Sequence, residues 1–367
     1  MKMEGEIERF MKVWISSMIS LSYCYYIVSR IPKGLLRFLS LLPIFYLFFI
    51  LPLYLSSPTL VGTTSFFLWL AIFKLLLFSF NQGPLALIKP QNILLFFSIA
   101  SLPITPKQNP PKQNHITNKP KRLFPLKLLL FAMIIRVYDY KQNLHPNLFL
   151  PIHCSHVYLS LDLLLIFIGA TVRTVFGFEI EPQFNEPYLS TSLQDFWGRR
   201  WNLMVSHLLR PTVYNPTRTV LTSFVSFSCA SSAAMLLTFL ASGLMHELIY
   251  YYLTRVTPTW EVTCFFVLHG VCTVVEVAVK KVAGHREWRL HGLVSGPLVI
   301  SFLAITANWL FFPQLLRNGV DTKATEEYAL LIEIFKSKFS FQSVVIQWTL
   351  RVFIFSEVNI MIQFLRK

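Results

Sequence analysis

Charged side chains are scarce in this sequence. Only 14% of the 367 residues are Asp, Glu, Lys or Arg, whereas 54% are hydrophobic. Soluble domains usually carry a charge on about a quarter of their residues. The composition therefore argues against a soluble domain and predicts an integral membrane protein that contacts membrane lipids.

Cysteine is scarce as well, and its spacing follows no recognisable pattern. The five cysteines form no CxxC pair, so we expect buried free thiols and neither a disulfide framework nor a cysteine metal site. No small-residue cleavage site follows the first apolar run, which begins near Val13. That run predicts an uncleaved membrane span and not a signal peptide.

Acidic residues are outnumbered by basic ones, 18 to 33, which gives a formal net charge of +15. In a membrane protein such an excess indicates cytoplasmic loops, and we expect no nucleic-acid partner. The basic loops 30–37 and 105–122 should both be cytoplasmic. If 92–104 crosses the membrane, simple alternation of spans places these two loops on opposite sides. The alternative is that one segment within 81–104 is re-entrant.

Long apolar runs predict the fold. A spanning helix needs about 20 mostly apolar residues. Apolar runs that predict spans lie near 12–29, 38–56, 60–80, 124–139, 148–175, 219–253, 260–280, 290–312 and 342–365, and a shorter run lies near 92–104. The run 219–253 either breaks at the Ala–Ser pairs near 230–233 or forms one long tilted helix. The prediction is an all-α polytopic bundle of roughly eight to ten helices, in a single domain covering 1–367.

Two segments interrupt this pattern. Residues 105–122 are rich in Pro, Asn, Gln and Lys and lack periodicity, which predicts a polar loop. Residues 176–218 mix aromatic, acidic, basic and Pro residues, which predicts interfacial structure. Within it, "STSLQDFW" offers Ser or Thr as the N-cap of a short helix.

An ionisable pair lies inside the apolar stretch "LTFLASGLMHELIYYYLT". On a helix, Ser242 and Tyr250 share a face with His246, whereas Glu247 points about 100° away. Such groups are costly in a membrane and are usually functional. Burial favours the neutral imidazole that a general base requires. The alternative is a core histidine bonded to a neighbouring carbonyl.

No metal site is expected from the histidines. The letters "HEL" resemble the start of HExxH, but position 250 is Tyr, so the second zinc ligand is missing. His153 and His156 are three apart without a third ligand at suggestive spacing. We expect structural or interfacial roles for both.

The second candidate segment is "LQDFWGRRWN". Trp197 and Trp201 would anchor at the membrane interface. Arg199 and Arg200 would meet phosphates, either of lipids or of a soluble substrate. An aromatic belt with basic neighbours explains these four residues, but it does not explain the polar Asn202 before an apolar stretch.

Other polar residues within apolar runs are expected to snorkel or to pair between helices; they are Lys74, Asp162, Glu276, Asn308, Arg351 and Glu357. The triplet "LHG" occurs at 268–270 and at 290–292. Gly beside His suggests close helix packing, which makes His269 a secondary site candidate.

"DFWGRRWN" followed by "SGLMHE" resembles the membrane-bound O-acyltransferases, and is most similar to their plant wax synthase branch. The N-terminal "VWISSMISLSYCYYIVSRIPKG" is similar to the opening of that branch, so the resemblance covers nearly the whole chain. It implies a helical bundle enclosing a catalytic chamber, with His246 as the active-site histidine and Asn202 as the second site residue. Some relatives carry His at that second position.

The resemblance also implies an acyl-CoA co-substrate from the cytosolic side, a lipid alcohol from the membrane and no cofactor. The residues fit this chemistry: His246 would deprotonate the acceptor hydroxyl, and Asn202 would bond the thioester carbonyl or hold the donor. We expect wax-ester synthesis in the endoplasmic reticulum. Sterol or diacylglycerol acceptors, including acetyl transfer, and a non-enzymatic lipid transporter remain alternatives. The oligomeric state is not predicted.

Overall fold

The computed structural model describes residues 2–88, 92–105, 124–138, 146–177, 180–283, 291–324 and 326–327. Across these ranges all regular elements are helical, which confirms the all-α expectation. In chain order the α-helices are α1 Lys2–Tyr26, α2 Leu35–Ile50, α3 Pro58–Ser79, α4 Pro84–Ile88, α5 Ile93–Ser101, α6 Phe124–Tyr138, α7 Pro146–Phe176, α8 Leu193–Asp195, α9 Leu203–Leu209, α10 Asn215–Leu221, α11 Phe227–Thr254, α12 Glu261–Ala283, α13 Gly292–Thr306 and α14 Pro313–Arg317.

Within the described ranges, six helical stretches are long and apolar enough to cross a membrane; they are Leu35–Tyr54, Pro58–Ser79, Pro151–Phe176, Phe227–Thr254, Glu261–Val282 and Gly292–Phe311. The polytopic prediction is confirmed, although this count is lower than the roughly eight to ten expected from apolar runs of about 20 residues. The expected span at 342–365 lies outside the described residues. α5 and α6 are shorter than a span, with 9 and 15 residues.

The apolar run 219–253 does not break where its Ala–Ser pairs suggested. α11 continues through 230–233, and the interruption lies at 222–226, between α10 and α11. The Ser226 side chain accepts a hydrogen bond from the Cys229 amide at 3.4 Å and so caps the new helix. Ala is the strongest helix former and continues the helix through 230–233, whereas a serine with extended ψ caps the start of one.

α5 ends against a buried lysine of α3. Lys74 Nζ donates to the carbonyl oxygens of Ile99 at 2.7 Å and Leu102 at 2.6 Å. The last carbonyls of a helix need partners, and a cation suits that end of the helix dipole. With 9 residues, α5 is only about 14 Å long at 1.5 Å per residue. α5 is thus too short to cross a membrane by itself, and the re-entrant alternative for 81–104 stays a prediction.

Charged side chains also connect helix ends at one face of the bundle. Glu6 of α1 accepts hydrogen bonds from the amides of Ser56 and Ser57, just before α3 begins. Arg255, which follows α11, donates to the carbonyl oxygens of Leu53 and Leu55 at 3.1 and 2.8 Å. The start of α3 and the end of α11 therefore lie together, and His246 lies about two turns inside that face.

An ion pair joins α6 and α7. Lys127 Nζ lies 2.7 Å from Asp162 Oδ2, and Asp162 is buried. Asp162 is thus paired between helices, as its position in an apolar run predicted. Lys74 likewise connects α3 to the end of α5 through hydrogen bonds. Asp162 and Lys74 therefore both have structural roles.

Candidate active site

The segment between α7 and α11 folds into short helical pieces that turn back into the bundle. The Ser192 side chain accepts from the Asp195 amide at 3.1 Å and caps α8, as the sequence predicted. A π-helical turn, Phe196–Arg200, follows at once. Such wide turns are rare and are frequent at functional sites. This turn directs Trp197 toward α11 and α12.

Trp197 is half-buried and packs against α11 and α12, and its expected role as an interface anchor stays a prediction. Its indole contacts Phe239 of α11 and Phe266 of α12, with ring centroids 5.7 and 5.8 Å apart. Its Nε1 donates to His269 Nδ1 at 3.2 Å. A buried indole N–H needs an acceptor, and α12 supplies one.

Trp201 is held by aromatic side chains of its own segment. Its ring stacks on Phe196 at 5.3 Å and meets the edge of Phe184 at 5.1 Å. These contacts tie the two ends of the π turn together. The chain leaves the turn at Asn202 with its direction fixed by this packing.

The two arginines of the motif have different environments. Arg200 Nε lies 2.6 Å from Asp195 Oδ2, and its Nη1 donates to the carbonyl oxygens of Asn185 and Glu186 at 3.2 Å each. Arg200 therefore holds the loop together. Arg199 is exposed and has no hydrogen bond or ion pair with any described residue, so only Arg199 presents its whole guanidinium for a phosphate.

Asn202 begins α9 in a left-handed conformation, with φ +40° and ψ +63°. Asn tolerates this region better than most residues because its short side chain bonds locally. Its Oδ1 faces the Val205 amide at 3.5 Å as the N-cap, and Gln183 accepts from the amides of Leu203 and Met204 at 2.8 and 3.0 Å. Among the described residues, nothing accepts from Asn202 Nδ2.

His246 makes one hydrogen bond through one ring nitrogen. Nδ1 lies 2.8 Å from the carbonyl oxygen of Ser242. A carbonyl only accepts, so Nδ1 carries the proton and Nε2 carries the lone pair. The bond expected of a core histidine is thus present, but it uses only one nitrogen. No described residue bonds Nε2, and the ring lies 4.4 Å from Phe266 and 5.8 Å from Phe311.

Ser242 and Tyr250 lie on the same face of α11 as His246, as their spacing predicted, but Tyr250 does not bond to His246. Tyr250 Oη donates to the carbonyl oxygen of Phe311 at 2.7 Å. Phe311 ends the π turn Ala307–Phe311, which follows α13. Tyr250 therefore fixes the wall that contacts the His246 ring.

Glu247 points away from His246, as predicted, and caps the first turn of α12. Its carboxylate accepts from the Trp260 amide at 3.0 Å, from the Thr263 amide at 3.4 Å and from the Thr263 hydroxyl at 3.0 Å. A carboxylate is favourable at a helix N-terminus, where amides lack partners. The residue beside His246 therefore has an architectural role.

His269 is fully buried, and both of its ring nitrogens have partners. Nδ1 accepts from Trp197, and Nε2 lies 2.9 Å from Thr306 Oγ1. The second "LHG" histidine differs: His291 is exposed and caps α13, where Nδ1 accepts from the Leu293 amide at 3.3 Å. The shared triplet therefore has no common structural role.

Of two further residues that build the site, one carried no readable signal in the sequence and the other did. Phe266 touches both the Trp197 and His246 rings, but one more Phe in an apolar run is unremarkable in sequence. Glu276 Oε2 accepts from the Leu193 amide at 2.7 Å. Its spacing of seven from His269, which places both on one helix face, was a usable signal.

Packing brings the two motifs together. Met204 and Leu208 of α9 form one apolar cluster with Trp69 of α3, and Met245 packs against that cluster. Asn202 therefore begins a helix that packs near the residue preceding His246. On the other side, Trp197 and His246 contact the same phenylalanine ring of α12.

Comparison with known proteins agrees with this arrangement. Residues 180–268, which contain both motifs, match the family model described as "Membrane bound O-acyl transferase family". The chain is 49% identical over 339 residues to "Probable long-chain-alcohol O-fatty-acyltransferase 2" of Arabidopsis thaliana, covering 91% of this chain and 98% of that protein. It is 45% identical over 349 residues to "Long-chain-alcohol O-fatty-acyltransferase" of Simmondsia chinensis, covering 92% and 98%. The chain therefore belongs to the membrane-bound O-acyltransferase family, in its plant wax synthase branch.

Proposed function

We propose that this protein transfers a fatty acyl group from acyl-CoA to the hydroxyl of a long-chain alcohol, forming a wax ester in the endoplasmic reticulum membrane. The names of its relatives support the acceptor class. The observation that carries the mechanism is the hydrogen bond from His246 Nδ1 to the Ser242 carbonyl. It leaves Nε2 with a lone pair that faces no described partner.

His246 is the general base of this reaction. The alcohol oxygen attacks the thioester carbonyl carbon while Nε2 takes the hydroxyl proton. The tetrahedral intermediate collapses with cleavage of the carbon–sulfur bond, and the protonated imidazole returns its proton to the departing thiolate. The products are an ester and free coenzyme A. The Ser242 carbonyl stabilises the protonated ring during this cycle, because it accepts from Nδ1 throughout.

Asn202 is the second catalytic group. Its Oδ1 is used at the start of α9, so its Nδ2 is the donor available to the thioester oxygen, where negative charge develops. Its left-handed backbone is held by Gln183, which fixes the direction of that donor before substrate arrives. Trp201 supports this geometry by packing next to it.

Arg199 is the candidate for the coenzyme A phosphates. It is exposed, whereas Arg200 already binds Asp195 and two carbonyls. A guanidinium without an internal partner retains all of its donors for phosphate. Arg199→Ala should raise KM for acyl-CoA and leave the maximal rate with saturating donor largely intact.

The test uses microsomes from a host that lacks its own neutral-lipid acyltransferases. Labelled palmitoyl-CoA or acetyl-CoA is supplied with hexadecanol, a sterol and diacylglycerol, and the wild type is compared with His246→Ala. We expect wax ester from the wild type and a loss on the order of 10³-fold in the variant, because a general base contributes about 10²–10⁴-fold. His291→Ala is the control, since His291 is exposed and lies outside the site.

Each outcome separates the alternatives. Sterol ester or acetylated glyceride in place of wax ester would keep the mechanism and change the acceptor. A His246→Ala variant that folds normally and keeps full turnover would remove His246 from the mechanism. No ester from any pair, with well-folded protein, would favour a lipid transporter.

A further inference from the structure

One face of α12 makes two hydrogen bonds to residues 193–202, the segment that we call the tryptophan motif. His269 and Glu276 are seven positions apart, and therefore share a helix face. His269 Nδ1 accepts from the Trp197 indole at 3.2 Å, and Glu276 Oε2 accepts from the Leu193 amide at 2.7 Å. Lys280 lies 2.6 Å from the other Glu276 oxygen and orients that carboxylate.

The donor and the acceptor can be assigned in each hydrogen bond of the His269 ring. Thr306 Oγ1 donates to the Phe302 carbonyl at 2.7 Å, so it accepts from His269 Nε2 at 2.9 Å. Nε2 therefore carries the ring proton, and Nδ1 is the acceptor that the Trp197 indole needs. Both nitrogens are used and the side chain has 0% exposure. His269 thus has no lone pair for a substrate and does not touch one.

Trp197 contacts residues that adjoin both proposed catalytic groups, His246 and Asn202. Its indole packs on Phe266, whose ring also contacts His246 at 4.4 Å. Its carbonyl oxygen accepts from Ser206 Oγ at 3.1 Å. Ser206 lies on α9, the helix that Asn202 begins. A shift of the indole would therefore move the start of α9 relative to the wall beside His246.

We infer that His269 is a positioning residue for acyl transfer, which holds Trp197 through a fixed tautomer set by Thr306, with Glu276 as the second anchor. This rests on the proposed function for its effect on turnover, and on the hydrogen bonds alone for its effect on the motif. His269 acts through Trp197, and its loss removes the alignment of His246 with Asn202 but neither group itself.

Three variants separate the two bonds of His269. His269→Asn keeps an acceptor near the Nδ1 position and loses the bond to Thr306. His269→Gln keeps a donor near the Nε2 position and loses the acceptor for Trp197. His269→Phe keeps a ring and loses both bonds. Thr306→Val tests the hydrogen bond of His269 Nε2, because it removes the partner of that nitrogen without altering His269.

The activity readout is a split between kcat and KM. We expect kcat to fall on the order of 10²-fold in His269→Phe and His269→Gln, as a misplacement of about 1 Å can cause, with KM for acyl-CoA nearly unchanged. His269→Asn should recover most of the rate. Trp197→Phe should match His269→Phe, and the double variant should be no worse than either, because both remove the same bond.

The second readout does not depend on activity. Hydrogen exchange is followed at the motif amides that bond within the structure, those of Leu193, Phe196 and Trp201. His269→Phe and His269→Gln should speed exchange across 193–201 and leave α3 unchanged, while His269→Asn stays close to the wild type. Glu276→Gln should speed exchange at Leu193 alone.

These readouts distinguish the two proposals. An inactive wild type with motif exchange that depends on His269 would overturn the proposed function and keep the positioning role. Unchanged motif exchange and unchanged kcat in His269→Gln would overturn the positioning role. Equal loss in all three His269 variants, with faster exchange throughout the protein, would show a general packing role instead and would also overturn it.

Discussion

Glu247 lies directly beside the proposed catalytic base, yet its contacts predict a purely structural role. The carboxylate accepts from the Trp260 and Thr263 amides and from the Thr263 hydroxyl, where α12 begins. We predict that Glu247→Ala loosens the contact between α11 and α12 and lowers the stability of the folded protein. The same variant should retain turnover for as long as it stays folded.

The expected loss of folding stability depends on which hydrogen-bond donors lose the Glu247 carboxylate as acceptor. Trp260 is 54% exposed, so its amide can reach water or lipid headgroups once the carboxylate is gone. The Thr263 donors are buried, and hydrogen bonds to a charged group contribute about 1.5–3 kcal/mol each. With two such donors, we therefore expect Glu247→Ala to cost about 3–6 kcal/mol. An unfolding entropy of about 2.1 cal/mol/K per residue gives roughly 1–2 °C per kcal/mol for a chain of 367 residues, so Tm should fall by roughly 4–8 °C, and by about half as much in Glu247→Gln, which keeps one acceptor oxygen.

The assay is thermal unfolding of detergent-solubilised protein, with ester synthesis measured below the transition. Glu8→Gln is the matched control, since Glu8 pairs with Lys12 at 2.7 Å on an exposed face of α1; it should leave Tm unchanged. If Glu247→Ala unfolded at the wild-type temperature and yet made no ester, the carboxylate would belong to the chemistry and the capping argument would fail.

Two further predictions concern the packing around His246. Gly243→Ala would place a Cβ 3.0 Å from the Thr263 Cα, so it should lower Tm by several degrees through an overpacking cost of about 1–3 kcal/mol. The control Gly5→Ala, whose Cβ meets nothing within 4 Å, should leave Tm unchanged. Equal shifts of Tm in the two variants would refute close packing of α11 on α12. Tyr250→Phe should remove one buried hydrogen bond, about 0.5–1.5 kcal/mol, and reduce turnover, while Tyr251→Phe on the exposed side should change neither quantity. A Tyr250→Phe variant with wild-type Tm and rate would contradict the role of the π turn in supporting the His246 ring.

The membrane class and most helices could be predicted from the sequence because length and polarity act locally. A stretch of about 20 apolar residues must place its backbone in a helix to cross lipid. The shared face of Ser242, His246 and Tyr250, and the divergence of Glu247, follow from helix periodicity alone. The two motifs also sufficed to name the family before any contact was known.

Partners between helices could not be predicted, because they depend on which surfaces meet. The sequence does not say that Trp197 turns inward to His269, or that Glu247 caps α12. It also left open whether the run 219–253 breaks at the Ala–Ser pairs or forms one long tilted helix, whereas the structure begins α11 after the Ser226 cap.

The class of fold, the membrane setting and the family could thus be read from the sequence, since these depend on composition, periodicity and short motifs. Which ring nitrogens have protein partners depends on how the helices pack. Within the described residues, His246 has one ring nitrogen bonded and one without a partner, whereas His269 has both bonded. We propose different functions for these two histidines of similar apolar runs because, in the part of the chain that the structure describes, long-range packing provides a second hydrogen-bond partner to only one of them.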